Sequence, residues 1–269
     1  FETYARVIPC INAVVPSGPY TVVDFHYAGG VPNVMKMLES KLFTDTPTMY
    51  GTTWNDLLSH VTPQENKVIH SLERPLSTEP GLKILRGNLS PNGAIVRPTA
   101  VYDEVKYLKG KAKVFEGDRQ AFDAISSGQI VPGDIIVIRY EGCKGAPGMK
   151  ELMLSIDALI GLGLHKSVGL ISDARFSGFN FGAIIGHVSP EAYDGGPIAL
   201  VQNGDEIEID IPNGTVNLLV SDEELAHRKE HWVCPPLKEE KGCLNIYARM
   251  CRSAEEGGAM QPWDLNAKF

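Results

Sequence analysis

Residues 115–142 read FEGDRQAFDAISSGQIVPGDIIVIRYEG, and three kinds of signal follow one another in them. Phe115 closes a β-like run that begins at Lys111. Residues 118–126 then carry apolar side chains at helical spacing behind an acidic start. After Gly128 and the Pro132-Gly133 turn, residues 135–140 open on four consecutive β-branched residues, 135–138, and are predicted as a buried strand.

Outward from this segment the same pieces recur. Residues 82–85, 93–96, 168–172, 198–201 and 207–211 are short runs rich in Ile, Val or Leu, bounded by turn residues, and each is predicted as a strand. Asn203-Gly204-Asp205 and Pro212-Asn213-Gly214 are turn sequences, the first expected to join two strands as a hairpin. Helices are expected over 150–162, from its apolar spacing, and over 221–228, where Ser221 followed by Glu224 reads as a capping box. From about residue 81 the chain therefore describes a β-rich barrel or closed sandwich carrying several helices and Gly-rich loops. Before it, a turn at Pro16-Ser17-Gly18 precedes a strand-like run at 20–25. Ala28-Gly29-Gly30 then leads through Val31 and Pro32 into a helical pattern reaching Leu42. Gly29 and Gly30 form either a tight turn or, with amides uncovered near a helix start, a seat for an anion. The polar, proline-containing stretch 62–80 is the expected domain boundary.

The chain has 269 residues, with 25 Lys plus Arg against 33 Asp plus Glu, a formal charge of −8. That balance excludes nucleic-acid binding through a basic face, which needs clustered cations. A composition of 43% hydrophobic and 22% charged residues is that of a folded chain and not of a disordered one. The longest apolar runs, 135–138 and 158–164, fall short of the ~20 residues that cross a bilayer, so no membrane span is expected. Five Cys at irregular spacing match neither a disulfide framework nor a CxxC site. They point to a reducing compartment, the cytoplasm or an organelle matrix. The stretch from Phe1 lacks the pattern of a signal peptide, and the chain is expected to be a piece of a longer one.

Chemistry is expected in the Gly-rich loops. Residues 86–93 are the first of these loops, either a functional loop or only a wide turn between strands. Residues 140–151, YEGCKGAPGMKE, run from the end of an apolar strand toward a helix, a usual place for a ligand site. Glu141 and Glu151 are its carboxylates, and either suits a hard ion such as Mg²⁺, although Glu151 ahead of a helix also suits the helix dipole. Cys143 is a soft ligand or, more commonly for such a residue, a small buried hydrophobe. A third loop, within 171–191, gathers Asp173, Arg175, Ser177 and His187 at one end of a sheet. Ser177 beside Gly178 is a candidate nucleophile or base. GxSxG is absent, since Arg175 stands two residues before Ser177, so a hydrolase triad is poorly supported. His187 reads as acid, base, ligand or a buried hydrogen-bonded ring. Asp173 and Arg175 are expected either to pair with each other or to face a ligand.

These residues carry a resemblance. LKILRGNLSPNGAIVRP (82–98), residues 115–142, GAPGMKEL (145–152), SDARFSG (172–178), IGHVSPEAYDGGPIALVQNGDEIEIDIP (185–212) and LLVSDEELAHR (218–228) follow in that order. Together with PSGPYTVVDFHYAGGVPNVMKMLE (16–39) and KGCLNIYARMCRSAEEGGA (241–259), they resemble the carboxy-terminal half of the dihydroxy-acid dehydratase and phosphogluconate dehydratase family.

The resemblance implies an enzyme that removes water from a 2,3-dihydroxy acid to give a 2-oxo acid, using an iron–sulfur cluster, 2Fe-2S or 4Fe-4S, and Mg²⁺. It implies Ser177 of the RFSG motif as base and Glu151 of the PGMxE motif as Mg²⁺ ligand. Gly178, Arg175, His187, Gly29 and Gly30 are the candidate substrate-binding residues. The implied fold is α/β with a β-barrel: a swivelling β/β/α barrel like that of aconitase over 75–269, preceded by the tail of an α/β cluster-binding domain over 1–74. The family's cluster cysteines, and its other Mg²⁺ ligands, an acid and a modified lysine, belong to an amino-terminal half. None of the five Cys here is assigned to the cluster, and the chain alone is expected to be inactive. Its expected partners are that missing half and a second copy in a homodimer. Residues 241–259 lean toward the branched-chain precursor enzyme, while SDARFSG also suits the sugar-acid (aldonate or phosphogluconate) dehydratases. A non-catalytic module that kept the barrel is the alternative of another class.

Overall fold

The computed structural model describes residues 2–260, which divide into two compact units at Gly81/Leu82. The division falls beyond the expected boundary at 74/75. Cys10 pairs with Ser77, and its amide also reaches the Glu79 carbonyl, which keeps this stretch with the first unit.

The first unit holds four short helices, α1 (Glu2–Val7), α2 (Val22–Tyr27), α3 (Gly30–Met37) and α4 (Trp54–Ser59). The run at 20–25, expected as a strand, is the start of α2. Thr21 caps it, accepting from the Asp24 amide while the Asp24 carboxylate accepts from the Thr21 amide, and this reciprocal cap overrides the β preference of Val22 and Val23. Thr53 and Asp56 open α4 in the same way. Gly29, with a φ of 103°, and Gly30 lead into α3, which ends at Met37 and so stops short of the expected Leu42. Asn33, buried beneath them, donates to the carbonyls of Ala28 and Gln64 and accepts from the Gln64 amide.

The second unit contains ten strands, β1 (Lys83–Leu85), β2 (Gly93–Val96), β3 (Tyr107–Phe115), β4 (Ile135–Ile138), β5 (Glu151–Leu152), β6 (Gly169–Ser172), β7 (Arg175–Phe176), β8 (Ile184–Ser189), β9 (Glu206–Asp210) and β10 (Thr215–Leu218). Its helices are α5 (Asp118–Ser126), α6 (Leu154–Gly161), α7 (Asp222–His231) and α8 (Cys243–Met250). Eight strands make one sheet in the order β1-β2-β8-β6-β4-β3-β9-β10, with β3, β4, β6 and β8 mutually parallel and the flanking pairs antiparallel. The two ends of this sheet meet. The Arg86 amide donates to Gly214 and its carbonyl accepts from Val216, a bridge that turns the sheet into a nearly closed barrel. Gly87 is required at this seam, because a Cβ there would lie 2.0 Å from the Val216 carbonyl oxygen.

Alternation along the strands sorts two cores. Ile135, Val137, Ile171, Ile185, Ile207 and Ile209 point into the barrel. Ile136, Ile138, Leu170 and Ile184 point outward against Ala121, Ile125, Ile156 and Leu159 of α5 and α6. Strand β4 is therefore buried on both faces and reads as the continuous IIVI, whereas β9, covered on one face, reads as the alternating EIEID.

Other expectations change. The run at 198–201 falls in a 3₁₀ turn, Pro197–Leu200, that Val201 caps, so the turn at Asn203–Asp205 joins that segment to β9, and the hairpin is the β9–β10 pair at Pro212-Asn213-Gly214. The helix expected over 150–162 begins only at Leu154. Its first amides, those of Met153, Leu154 and Ser155, donate to the buried carboxylate of Asp118, so Asp118 caps α6 while forming the first residue of α5. At α7, Ser221 accepts from the Glu224 amide as expected.

Asn88 clasps the seam as a substitute for backbone, its amide donating to the Leu218 carbonyl at 2.8 Å and its oxygen accepting from the Leu218 amide at 2.7 Å. Asn88→Ala removes both bonds and should lower stability by about 1–2 kcal/mol, read from the midpoint of urea unfolding at unchanged slope.

Candidate functional site

The loops that follow β4 and β6 come off neighbouring parallel strands, Ile138 being paired with Ser172. They meet again as the small parallel sheet of β5 and β7, where Glu151 pairs with Arg175 and Leu152 with Phe176. Leu152 and Phe176 face the outer core. By the two-residue period, Glu151 and Arg175 are turned to the other, exposed side. Ser177 follows β7 directly and is half-buried.

Local bonds fix Ser177. Its Oγ accepts from the Phe179 amide at 3.2 Å, its carbonyl accepts from Asn180 Nδ2 at 2.6 Å, and the next carbonyl, that of Gly178, accepts from Arg97 Nη1 at 2.6 Å. Arg175 Nε donates to the Met149 carbonyl at 2.5 Å, which holds the strand before Ser177 against the loop before Glu151. Among the described residues nothing pairs with the Glu151 carboxylate, and it does not serve α6, whose leading amides Asp118 occupies. Glu141, the other expected hard-ion ligand, is 2% exposed and enclosed by Lys238 at 3.0 Å and Lys150 at 3.2 Å. It is an ion-pair centre.

His187 stands in β8, where a loop was expected, with a φ of 56° and an edge contact to the Phe176 ring. Burial, and then the Arg175 charge, hold its imidazole below the usual histidine range, so it is neutral near pH 7. Of the expected site residues, Glu151, Arg175, Ser177, Gly178 and His187 thus lie along β5, β7 and the adjoining strand β8. Gly29 and Gly30 belong to the first unit, at the start of α3.

The expected pairing of Asp173 with Arg175 is not formed among the described residues. Asp173, 1% exposed, accepts from the amides of Tyr140 (3.1 Å), Glu141 (3.0 Å) and Ala192 (2.9 Å). Glu191, 2% exposed, accepts with Oε1 from the amides of Lys144 and Gly145, and its Oε2 is buried without a hydrogen bond. Gly142 makes room for that oxygen, since a Cβ there would lie 2.5 Å from it. Sequence reasoning did not single out Glu191, and the signal was faint: a lone acid after Ser189-Pro190 looks like a solvated loop residue.

The thiols are dispersed. Cys143 and Cys251 are buried with Met149, and burial, with Glu191 behind it, pushes the Cys143 thiol up to about 12, so it stays S–H. Cys10 is buried in the first unit, and Cys234 and Cys243 are exposed. Among the described residues no group of three or more His, Cys, Asp or Glu side chains converges as a metal site.

Residues 67–258 match the family model for the dihydroxy-acid/6-phosphogluconate dehydratase C-terminal region, and residues 1–57 match the corresponding N-terminal model. The chain belongs to the dihydroxy-acid/6-phosphogluconate dehydratase family. It is 47% identical to a dihydroxy-acid dehydratase of Clostridium novyi over 97% of this chain and 48% of that protein. It is 46% identical to one of Methanosarcina barkeri over 96% and 47%, and 43% identical to one of Pyrobaculum neutrophilum over 97% and 47%. The chain spans about half the length of the curated relatives it matches. The barrel with helices on its outside is the fold that the resemblance to this dehydratase family implied.

The buried acids give the dehydratase-family chain a pH signature. Burial raises Glu191 from 4.5 to about 7, reinforced by Asp173, and burial raises Asp173 from 3.8 to about 6 against three amide bonds that lower it. Between the unfolded and folded values the native state binds more protons, so stability falls as pH rises from about 4 to about 7. Glu191→Gln, which cannot ionise, should be near neutral at pH 4.5 and stabilising by up to about 3 kcal/mol at pH 8, read by thermal unfolding at both pH values.

Proposed function

We propose that the protein to which this chain belongs is a hydro-lyase that removes water from a branched-chain 2,3-dihydroxy acid to give a 2-oxo acid. Ser177 is its base and Glu151 its hard-metal ligand. The observation that carries the reading is the β5–β7 register, which brings an unpartnered, exposed carboxylate beside Arg175 and the strand leading to Ser177. The relatives named dihydroxy-acid dehydratase support the reaction class, and the resemblance of residues 241–259 to the branched-chain precursor enzyme supports a place in branched-chain amino acid biosynthesis.

Glu151 fits Mg²⁺ as one oxygen donor of a larger set, which its freedom from any other partner leaves available. An ion held there supplies positive charge that favours ionised oxygen nearby. The five thiols do not fit an iron–sulfur cluster: the buried Cys143 stays protonated, and no set of three ligands converges among the described residues. The cluster and the remaining Mg²⁺ ligands are assigned to the amino-terminal half. Residues 1–74 are taken as the tail of its α/β domain, and the assembled enzyme as a homodimer.

In this reading Ser177 Oγ, acting as alkoxide with the Phe179 amide donating to it, takes the proton from C2 of the substrate. The C3–O bond breaks and hydroxide departs. The enol that remains gives up its hydroxyl proton and takes one at C3, becoming the 2-oxo acid, and the proton removed from C2 leaves with the hydroxide as one water. Arg175, with Nε held by Met149, presents positive charge to the substrate carboxylate, and Gly178 leaves the approach to Oγ open.

In the full-length protein, purified without oxygen, Ser177→Ala should lower kcat by about 10³-fold at unchanged iron and sulfide content. Wild-type turnover in that variant would refute the base assignment. Glu151→Gln should raise the Mg²⁺ concentration for half-maximal activity at least ten-fold, and an unchanged value would refute the ligand assignment. Assaying 2-oxo acid formation from branched-chain dihydroxy acids beside aldonates decides the substrate class.

A further inference from the structure

We infer that Asp173 and Glu191 are positioning residues, which together set where Ser177 stands relative to Glu151 by tying the two loops that carry them. The inference rests on the proposed roles of Ser177 and Glu151. Its geometry does not depend on them.

The ties form a closed circuit. Asp173 leaves the end of β6 and captures the amides of Tyr140 and Glu141, where the chain leaves β4, and that of Ala192, beyond β8. Ala192 follows Glu191, whose Oε1 reaches back to the amides of Lys144 and Gly145 in the same β4 loop. That loop runs on to Met149, whose carbonyl is held by Arg175, two residues beyond Asp173 and two before Ser177. Among the described residues, two of the three non-glycine residues with positive φ, Tyr140 at 61° and Met149 at 52°, bracket the tied segment. Backbone in that region is held only where its surroundings over-determine it. The third, His187 at 56°, donates its amide to the Ala174 carbonyl, between Asp173 and Arg175.

The two carboxylates use their oxygens differently. Asp173 engages both, Oδ1 with one amide and Oδ2 with two. Glu191 engages Oε1 alone, and Oε2 bonds to nothing. An amide side chain keeps one acceptor oxygen and loses the other. Glutamine therefore preserves what Glu191 does, alanine abolishes it, and asparagine breaks what Asp173 does.

The test uses the full-length holoenzyme with Asp173→Asn, Glu191→Ala and Glu191→Gln. Glu191→Ala and Asp173→Asn should each lower kcat by at least 30-fold with substrate KM changed less than three-fold, at matched metal content and folded fraction. Glu191→Gln should stay within three-fold of wild type. Amide hydrogen exchange should quicken at least ten-fold over residues 140–149 and over 174–178 in Glu191→Ala, and not in Glu191→Gln. Should Asp173→Asn not fold, Glu191→Ala, which cuts only two of the five bonds, decides the matter. A Glu191→Gln variant as impaired as Glu191→Ala would overturn the inference, as would exchange that quickens while kcat holds, or exchange confined to Lys144 and Gly145. A wild-type protein without dehydratase activity would refute the proposed function, and the exchange measurement, needing no turnover, would still decide whether the circuit couples the two loops.

Discussion

Where the parallel ladder of β4 and β6 runs out, the carboxylate of Asp173 takes over. Ile138 and Ser172 are the last main-chain partners of that ladder, and the amides of Tyr140 and Glu141 donate to a side chain instead. Burying a carboxylate costs far more than burying a neutral group unless its lone pairs are filled, and three backbone amides fill them here. The exchange lets the chain leave β4 sharply, through a left-handed Tyr140, without leaving buried amides unpaired. A straight continuation of the ladder would have carried residues 139–145 out along the barrel axis. The side-chain acceptor folds them back over the strand ends.

That turn explains why the candidate chemistry lies at this end of the sheet. Loops leaving the carboxyl ends of adjacent parallel strands start side by side, so residues far apart in sequence can converge on one rigid edge. The β4 loop delivers Glu151 and the β6 loop delivers Ser177. The short β5–β7 ladder, anchored by Leu152 and Phe176 on the outer core, stops the two from drifting apart. The carboxy-terminal segment adds a cover: Tyr247 donates to Gly258, Glu255 bonds Ser189 and Asn92, and Cys251 packs on Cys143 and Met149 within the β4 loop. Trp232 and Lys238 fasten Tyr140 as well, through its hydroxyl and its carbonyl.

What the sequence made legible follows from how many neighbours decide each residue. Strand β4 is buried on both faces, so its identity is written in four consecutive β-branched residues. Helix α5 spans the expected 118–126, because its apolar spacing meets a single partner surface. The run at 20–25 misleads because a cap made by Thr21 and Asp24 outweighs β preference, and 198–201 misleads because Pro197 opens a 3₁₀ turn whose apolar side chains fill the barrel without joining a ladder. Strand β8 escaped detection since Gly186 and a left-handed His187 interrupt its pattern. At the candidate site, Ser177 and Glu151 stood out as residues of Gly-rich loops but took definite roles only from the family resemblance, since composition alone left Glu151 between a hard ion and the helix dipole. The structure removes that plain explanation by giving the amides to Asp118. Asp173 and Glu191 were not legible as buried acceptors, because what buries them is backbone from loops distant in sequence.

The proposed base sets a demand that this chain meets only in part. A serine hydroxyl ionises nearly as reluctantly as water, whose pKa is about 15.7. Bringing such a group to ionisation near pH 7 requires differential stabilisation of roughly 12 kcal/mol, at 1.36 kcal/mol per unit. One amide donating to a charged oxygen contributes about 1.5–3 kcal/mol. The Phe179 amide is the single donor to Oγ among the described residues, and Arg175, its Nε engaged by Met149, stands on an exposed strand where solvent screens its charge. Most of the stabilisation must therefore come from charges brought to the face that β5 and β7 present. Glu151 is the one unpartnered carboxylate on that small sheet, so under the proposed roles the rigidity inferred to fix Ser177 against Glu151 would govern the basicity of the hydroxyl as well as its aim.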